Sequence, residues 1–206
     1  LHVFVFGGDG DGFSIGGNHL DHAGRKNIRL TYVIMDNFVY GLTKKQTSPT
    51  SPQGFKSKTD PMGAIDRPTN PMRKLLSSGA TFVGRTHASQ IKHMMAMYER
   101  AINHDGFSVV ECLSECVEFY KGAFDAAIPR KGGTFDVIDE EEHDVTNMAS
   151  ALALAEEEWP GKFGVYYQKK EPTKNDLEQA NIEKALIKSK GASDLDLLKA
   201  SFAMMK

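Results

Sequence analysis

Two short polar clusters, each following an apolar run, contain the residue types that bind a phosphate and a metal ion. The first is GGDGDG at 7–12 and the second is DNFVYG at 36–41. Glycines allow backbone N–H groups to approach a phosphate closely, and the start of a following helix favours negative charge. An acidic residue inside such a loop requires a cation between the two negative groups. The pattern therefore predicts a phosphate site that also holds a cation.

Asp9 and Asn37 are the candidate ligands of this cation. They lie 28 positions apart, each at the end of an apolar run, and Mg²⁺ prefers carboxylate, amide and carbonyl oxygens. Either cluster alone is usually a turn or a cap, whereas the pair across one β-α-β unit is more specific. The first cluster matches neither the Gly-x-Gly-x-x-Gly of dinucleotide-binding folds nor the Gly-Lys-Ser/Thr of a P-loop.

The elements around these clusters alternate between strands and helices. Apolar runs predict strands at 2–6, 30–35, 81–85 and 107–113, and helical signals lie at 13–25, 70–79 and 91–102. This order predicts an α/β fold with an open, mostly parallel sheet and helices on both faces. Ligands bind at the carboxyl ends of the strands in such sheets, which is where both clusters lie.

Two further segments complete the predicted organisation. Residues 37–69 form an unusually long, hydroxyl-rich connection, which favours a functional loop. Residues 117–143 are interpreted as a linker or a surface-wrapping arm, followed by helices at 144–158 and 174–189 and a strand at 164–167. We therefore expect a cofactor-binding α/β domain at 1–125 and a linker with a small C-terminal extension at 126–206.

Composition excludes several classes of protein. The formal charge is −2, from 25 basic and 27 acidic residues, and no basic stripe of the kind that binds nucleic acid is present in the sequence. Apolar runs are far shorter than the roughly 18 residues of a membrane helix, so no membrane partner is expected. With two cysteines there is no disulfide framework, which favours the cytoplasm.

The ordered motifs resemble a known family. Gly8-Asp9-Gly10, 26 further residues and then Asn37 resemble the thiamine diphosphate and Mg²⁺ motif. More narrowly, four segments are similar to the β subunit of two-subunit 2-oxoacid:ferredoxin oxidoreductases, namely GDGDGFSIGGNHL, MDNFVYGLTKKQTSPTS, GATFVGR and LSECVEF. The resemblance extends weakly to GVYYQKKEPT near the C-terminus. It implies a thiamine diphosphate-binding fold that is incomplete at its N-terminus.

The resemblance implies roles for particular positions. Asp9 and Asn37, with the Val39 carbonyl, would bind Mg²⁺. Lys44 would lie at the substrate end of the site, and Cys116 would be the last ligand of a [4Fe–4S] cluster. The diphosphate would be lined by Gly8, Gly10, Asp11, Gly41, Leu42 and Thr43.

Two positions and one segment depart from the family pattern or lie outside it. Lys45 stands where the family more often has glycine. Cys112 matches no cluster motif and is predicted to be a buried strand residue. The cysteines that would supply the remaining cluster ligands belong to an N-terminal family segment that these residues do not include. Either that segment precedes residue 1, or it lies on another chain, or the cluster is absent. The first is favoured, because the sequence is expected to begin within its first domain.

The activity implied is oxidative decarboxylation of a 2-oxoacid, with 2-oxoglutarate favoured over pyruvate. Coenzyme A would take the acyl group, the cluster would pass electrons to ferredoxin, and an α subunit would complete the site as partner. Two alternatives stay open at this point. One is a non-redox thiamine diphosphate decarboxylase or synthase, which needs no cluster cysteine, and the other is a non-catalytic phosphate-binding module.

Overall fold

The computed structural model describes residues 1–189 and 191–204. Within them, four parallel strands form the body of one sheet, in the order β1-β2-β4-β3. A fifth and a sixth strand extend it beyond β3, where β6 runs antiparallel to β3 and parallel to β5. The strands are β1 Phe4–Gly8, β2 Leu30–Asp36, β3 Phe82–His87, β4 Phe107–Leu113, β5 Asp136–Val137 and β6 Lys162–Gln168.

Helices cover both faces of this sheet, as the apolar strands require. Successive residues of a strand point to opposite faces, so Val83 and Val109 join one core cluster while Phe82 and Val110 join another. The first cluster packs against α1, α2 and α4, and the second packs against α3. The helices are α1 Gly17–Lys26, α2 Pro71–Ser77, α3 Ile91–Ile102 and α4 Met148–Ala155. The predicted α/β class is therefore confirmed.

The helix predicted at 13–25 is divided in the structure. Asp11–Ile15 forms a turn of π-helix, closed by a 2.8 Å hydrogen bond from the Gly16 N–H to the Asp11 carbonyl, and α1 follows. A Cβ atom at Gly16 would lie 2.2 Å from that carbonyl oxygen, so only glycine permits this close approach. A sequence period of 3.6 residues does not reveal such a turn.

Residues 117–143, interpreted as a linker or a surface-wrapping arm, pack in part against the sheet. They contain short 3₁₀ turns at Asp125–Ala127 and Pro129–Lys131, followed by β5. Phe124 is fully buried against the ends of β4 and β6, and the Phe135 ring stacks on Phe163 at 4.3 Å. The apolar residues here follow no helical or strand period, which is why pattern analysis missed their part in the core.

The chain forms two compact units, residues 1–171 and residues 172 onward. The first contains the whole sheet together with α4, although β6 and α4 were expected in the extension. The second contains α5 Lys174–Ser189, as predicted, and α6 Asp194–Ala203, which begins at a capping box formed by Ser193 and Asp196. The functional division at residue 125 stays a prediction. Among the described residues no helix is long and apolar enough to cross a membrane.

Candidate functional site

The carboxyl ends of β1 and β2 bring the two polar clusters side by side. The strands are parallel neighbours, with Gly8 paired to Met35, so the residues that follow them emerge together. Asp9 is almost completely buried, and the backbone of Asn37 lies close enough to its carboxylate to lower the pKa of Asp9. The two candidate metal ligands, separated by one β-α-β unit, therefore lie at the same edge of the sheet.

Hydroxyl groups of the long segment hold the Asp9 carboxylate in place. Ser48 and Thr50 both donate to its Oδ2 atom, the Thr50 contact being 2.8 Å long. Thr50 Oγ1 also lies 2.9 Å from Oδ1 of the buried Asp36. A hydroxyl has a single proton, so Thr50 can donate to only one of these carboxylates at a time.

Burial disfavours the charged forms of the carboxyl groups in this cluster. Desolvation raises the pKa of Asp9, although hydrogen bonds from Ser48 and Thr50 oppose the shift. Desolvation, followed by the charges of Asp9 and Glu111, raises the pKa of Asp36 well above its usual range. The Oδ2 atom of Asp36 is buried and has no hydrogen-bond partner among the described residues. A bound cation would offset the cost of ionising these groups.

Glycine at position 10 of the first loop makes room for the ring of Tyr40. A Cβ atom at Gly10 would lie 1.9 Å from the ring of Tyr40, so the Tyr40 ring fits here only because position 10 is glycine. The Gly8 N–H donates to the exposed Asp11 carboxylate at 2.8 Å. Asp11, predicted to line the diphosphate, thus closes the loop through its side chain in this structure.

The second loop runs from Asn37 to Gln46, where Gln46 pairs with Tyr40 in an isolated bridge. Its first turn is closed by the buried Val39, whose N–H donates to Asn37 Oδ1 at 3.0 Å. Leu42, Thr43 and Lys44 then lie exposed at the tip of the loop, where a ligand or a partner chain can reach them.

Cys116 lies next to this loop. It is half-buried and free, in the cluster formed by Val39, Phe55 and Ala64, and a Cβ atom at Gly41 would contact its Sγ at 3.7 Å. Cys112 is buried within β4, as predicted, where Met94 lies beside it. The two thiols therefore have different surroundings, and only Cys116 lies beside the candidate diphosphate loop.

Sequence reasoning identified the long segment but not the residues in it that reach the site. Ser48 and Thr50 contact Asp9 from 39 and 41 positions away, and Asp36 was read only as part of a strand end. The hydroxyl-rich TSPTS run was the available signal. It indicated a ligand-facing loop, but not that its hydroxyl groups would hold a carboxylate.

A glycine-lined anion loop beside a buried carboxylate, at the carboxyl ends of parallel strands, defines a cofactor-binding α/β domain. Residues 1–112 match the family model described as the thiamine pyrophosphate enzyme C-terminal TPP-binding domain. The chain belongs to this family. Thiamine pyrophosphate is the thiamine diphosphate of the predicted site.

Individual relatives show which members of this family the chain is similar to. The chain is 48% identical over 126 residues to 2-oxoglutarate oxidoreductase subunit KorB of Mycobacterium tuberculosis, covering 61% of this chain and 34% of that protein. It is 35% identical over 176 residues to 2-oxoacid:ferredoxin oxidoreductase subunit beta of Saccharolobus solfataricus, covering 82% and 58%. The chain thus matches about a third of the length of the first relative and nearly three fifths of the length of the second.

A solved structure shows the same fold. It is the 2-oxoglutarate:ferredoxin oxidoreductase from Magnetococcus marinus with 2-oxoglutarate, coenzyme A and succinyl-CoA bound, matched with a TM-score of 0.82 and 36% identity. The match covers 94% of this chain and 65% of the other. The resemblance to the β subunits of this family, inferred from the sequence motifs, is confirmed.

The residues present fit thiamine diphosphate held through Mg²⁺. The donor set offers the hard oxygens that Mg²⁺ requires, from Asp9, Asn37 and the Val39 carbonyl. Burial raises the pKa values of Asp9 and Asp36, and Asp36 Oδ2 has no partner among the described residues, so a cation at this edge of the sheet would favour the ionised carboxylates.

Proposed function

We propose that the chain is the β subunit of a 2-oxoglutarate:ferredoxin oxidoreductase, which converts 2-oxoglutarate and coenzyme A to succinyl-CoA and CO₂. The observation that carries the proposal is the buried Asp9, which lies against Asn37 between two open loops. The names of similar proteins and of the similar solved structure support the substrate. Cys116 beside Gly41 favours this redox enzyme over a non-redox decarboxylase.

The chain's own residues hold the cofactor. When bound, thiamine diphosphate supplies an electron sink for decarboxylation. Asp9 and Asn37, with the Val39 carbonyl, hold Mg²⁺, while Ser48 and Thr50 fix the orientation of the Asp9 carboxylate. Backbone groups, together with the Thr43 hydroxyl, bind the diphosphate. The loop residues that line it are Gly8, Gly10, Asp11, Gly41, Leu42 and Thr43.

Lys44 orients the substrate in this proposal. Its side chain is exposed, immediately after the loop residues assigned to the diphosphate, so its ammonium can reach beyond the phosphates. A 2-oxoacid brings a carboxylate into a partly dehydrated site, and an uncompensated anion there is costly. A charge-assisted hydrogen bond from Lys44 would contribute about 1.5–3 kcal/mol.

Electron transfer requires groups outside this chain as well as Cys116. A [4Fe–4S] cluster normally has four thiolate ligands, and Cys116 is proposed as one of them. An α subunit completes the site, and ferredoxin receives the electrons. Two free cysteines fit the reducing cytoplasm, where we place the enzyme.

The experiment is to assay the complex formed with its α subunit against a panel of 2-oxoacids, with coenzyme A and a viologen acceptor. We expect viologen reduction that depends on coenzyme A and is faster with 2-oxoglutarate than with pyruvate. CO₂ release without acceptor reduction would contradict the proposal and favour the non-redox alternative.

A matched pair of cysteine variants separates the redox role from folding. Cys116→Ser is expected to lower iron content and slow viologen reduction, with decarboxylation less affected. Cys112→Ser, at a buried site four residues earlier, is expected to change neither. Equal losses of iron in both variants would refute the assignment of Cys116.

A further inference from the structure

The backbone between the proposed metal ligands Asn37 and Val39 has an unfavourable conformation. Phe38, which separates them, has a φ of +61°, in the left-handed region that a residue with a bulky side chain rarely adopts. Its conformation sets where the Asn37 side chain and the Val39 carbonyl lie relative to each other, because the two groups flank it in the chain. Strain of this kind persists only where surrounding contacts enforce it.

Buried side chains hold both backbone polar groups of Phe38. Its N–H donates to Asp36 Oδ1 at 3.0 Å, and its carbonyl accepts from Ser51 Oγ at 2.6 Å. Asp36 and Ser51 are almost completely buried, so both bonds are shielded from water. They do not account for a phenylalanine at this position, since glycine would make the same backbone bonds at the same φ without strain.

The Phe38 ring packs against two aromatic side chains from distant parts of the chain. Its centre lies 4.7 Å from that of Phe124, in an edge-to-face arrangement, and 5.3 Å from that of Trp159. The centres of the Phe124 and Trp159 rings are 5.9 Å apart. Rings at these distances attract one another beyond the effect of burial alone. A change of φ to an ordinary negative value would move the ring relative to the loop, so these contacts oppose it.

We propose that Phe38, Phe124 and Trp159, here called the aromatic trio, are positioning residues that hold Asn37 and the Val39 carbonyl in the arrangement that binds Mg²⁺. The inference rests on the proposed function, which places Mg²⁺ at these ligands. Phe124 and Trp159 lie beyond residues 1–112, the part of the chain that matches the family model. Segments outside the matched domain thus support the metal site through packing.

Two substitutions at position 38 separate the backbone conformation from the ring. Thiamine diphosphate is titrated by calorimetry into the complex with the α subunit at increasing Mg²⁺ concentrations. Phe38→Ala loses the ring but keeps the penalty on positive φ, so we expect the half-saturating Mg²⁺ concentration to rise at least about tenfold. Phe38→Gly also loses the ring but adopts this φ without penalty, so it should return to within about threefold of the wild type.

Two variants of neighbouring rings test the packing without changing the loop. Trp159→Leu removes a ring that contacts Phe38 and should raise the half-saturating Mg²⁺ concentration at least about threefold. Phe135→Leu is the control, because Phe135 packs against the same core cluster but its ring stacks on Phe163 instead. It should lower the free energy of unfolding without changing the Mg²⁺ requirement. Equal shifts in the two variants would refute the role of the aromatic trio.

The wild-type complex is the reference that separates this inference from the proposed function. If the wild type binds no thiamine diphosphate, or binds it equally well without Mg²⁺, the proposed function fails. If the wild type binds as proposed but Phe38→Ala has the same Mg²⁺ requirement, only the positioning role fails. A Phe38→Gly variant that needs as much Mg²⁺ as Phe38→Ala would also overturn the positioning role, because loss of the ring would then act through packing alone.

Discussion

Lys44 and Lys45 are neighbours of equal charge that have different surroundings. Lys44 is exposed at the tip of the second loop. Lys45 is half-buried, with its Nζ atom 5.4 Å from the centre of the Phe55 ring, a contact in the range of a cation–π interaction. The two residues therefore form a natural pair for testing which ammonium group meets the substrate.

Lys44→Met should raise the KM for the 2-oxoacid by about 10- to 150-fold, the kinetic equivalent of one charge-assisted hydrogen bond. Affinity for thiamine diphosphate should change little, because the diphosphate contacts come from the preceding residues. Lys45→Met is the control and should affect KM less. If Lys45→Met impairs turnover more than Lys44→Met, the substrate contact belongs to Lys45.

Lys45 also has a strained backbone. Its φ is +70°, and that of Lys44 is +64°, in the left-handed region that costs a residue with a side chain about 1–2 kcal/mol. Lys45→Gly relieves this strain but also loses the contact with Phe55, so the strain is measured against Lys45→Ala, over which the Gly variant should have a free energy of unfolding higher by about 0.5–1 kcal/mol. Lys45→Ala keeps the strain but loses the contact with Phe55, so it should be destabilising in urea denaturation. A Gly variant no more stable than the Ala variant would contradict this account.

At the scale of elements, Asn70 joins two helices. Its Oδ1 caps α2 by accepting from the Arg73 N–H at 3.1 Å, and its Nδ2 donates to the Ala155 carbonyl at the end of α4 at 2.6 Å. Asn70 therefore fixes both the start of α2 and the distance between the two helices on this face of the sheet.

Asn70→Ala should lower the free energy of unfolding by about 1–3 kcal/mol, since it removes a cap and leaves a carbonyl without its donor. Asn70→Asp keeps the capping oxygen but turns a second acceptor toward the Ala155 carbonyl, so it should also be destabilising. Asn147→Ala, which removes only the cap of α4, should cost about 1 kcal/mol. Urea denaturation of the three variants separates the contribution of the helix cap from that of the contact with Ala155. Equal decreases in the free energy of unfolding for Asn70→Ala and Asn147→Ala would show that the contact with Ala155 contributes nothing.

The sequence allowed β1 to β4 and β6, and their order along the chain, to be predicted, because a buried strand is a short apolar run whose ends are visible in composition. The two exposed residues of β5 were not predicted as a strand. Strand direction is not visible in this way, so the antiparallel β6 could be predicted only as a strand. The long segment was predicted to be functional, but the bonds from Ser48 and Thr50 to Asp9 depend on how 37–69 folds back. Arg85 and Glu111 pair across neighbouring strands, a contact that follows from the strand register alone.

At the scale of the whole molecule, buried carboxyl groups link stability to pH. Folding raises the pKa of Asp36 well above 3.8, through burial and then through the charges of Asp9 and Glu111. A carboxyl group of this kind contributes stability that is fully present below its ordinary pKa. That contribution is lost as the pH rises through the folded-state pKa.

Asp36→Asn removes this linkage while keeping an acceptor for the Phe38 N–H. In chelator-treated buffer we expect the variant to be more stable than the wild type at pH 8, with the difference shrinking toward pH 4. The change cannot exceed about 1.4 kcal/mol per pH unit, the limit for one proton. Urea denaturation across this pH range measures it, and a difference independent of pH would contradict the direction of the shift.

The measurement that tests the central claim is calorimetric titration of thiamine diphosphate, with and without Mg²⁺, into the full chain alone and in complex with its α subunit. The account predicts binding that requires Mg²⁺. It also predicts a loss of affinity of at least about 100-fold, or 2.7 kcal/mol, in Asp9→Asn. Asp105→Asn, at a surface ion pair with Arg29, should bind as the wild type does. Binding that is equally tight without Mg²⁺ or in Asp9→Asn would contradict the assignment of Asp9 and the cofactor site built on it.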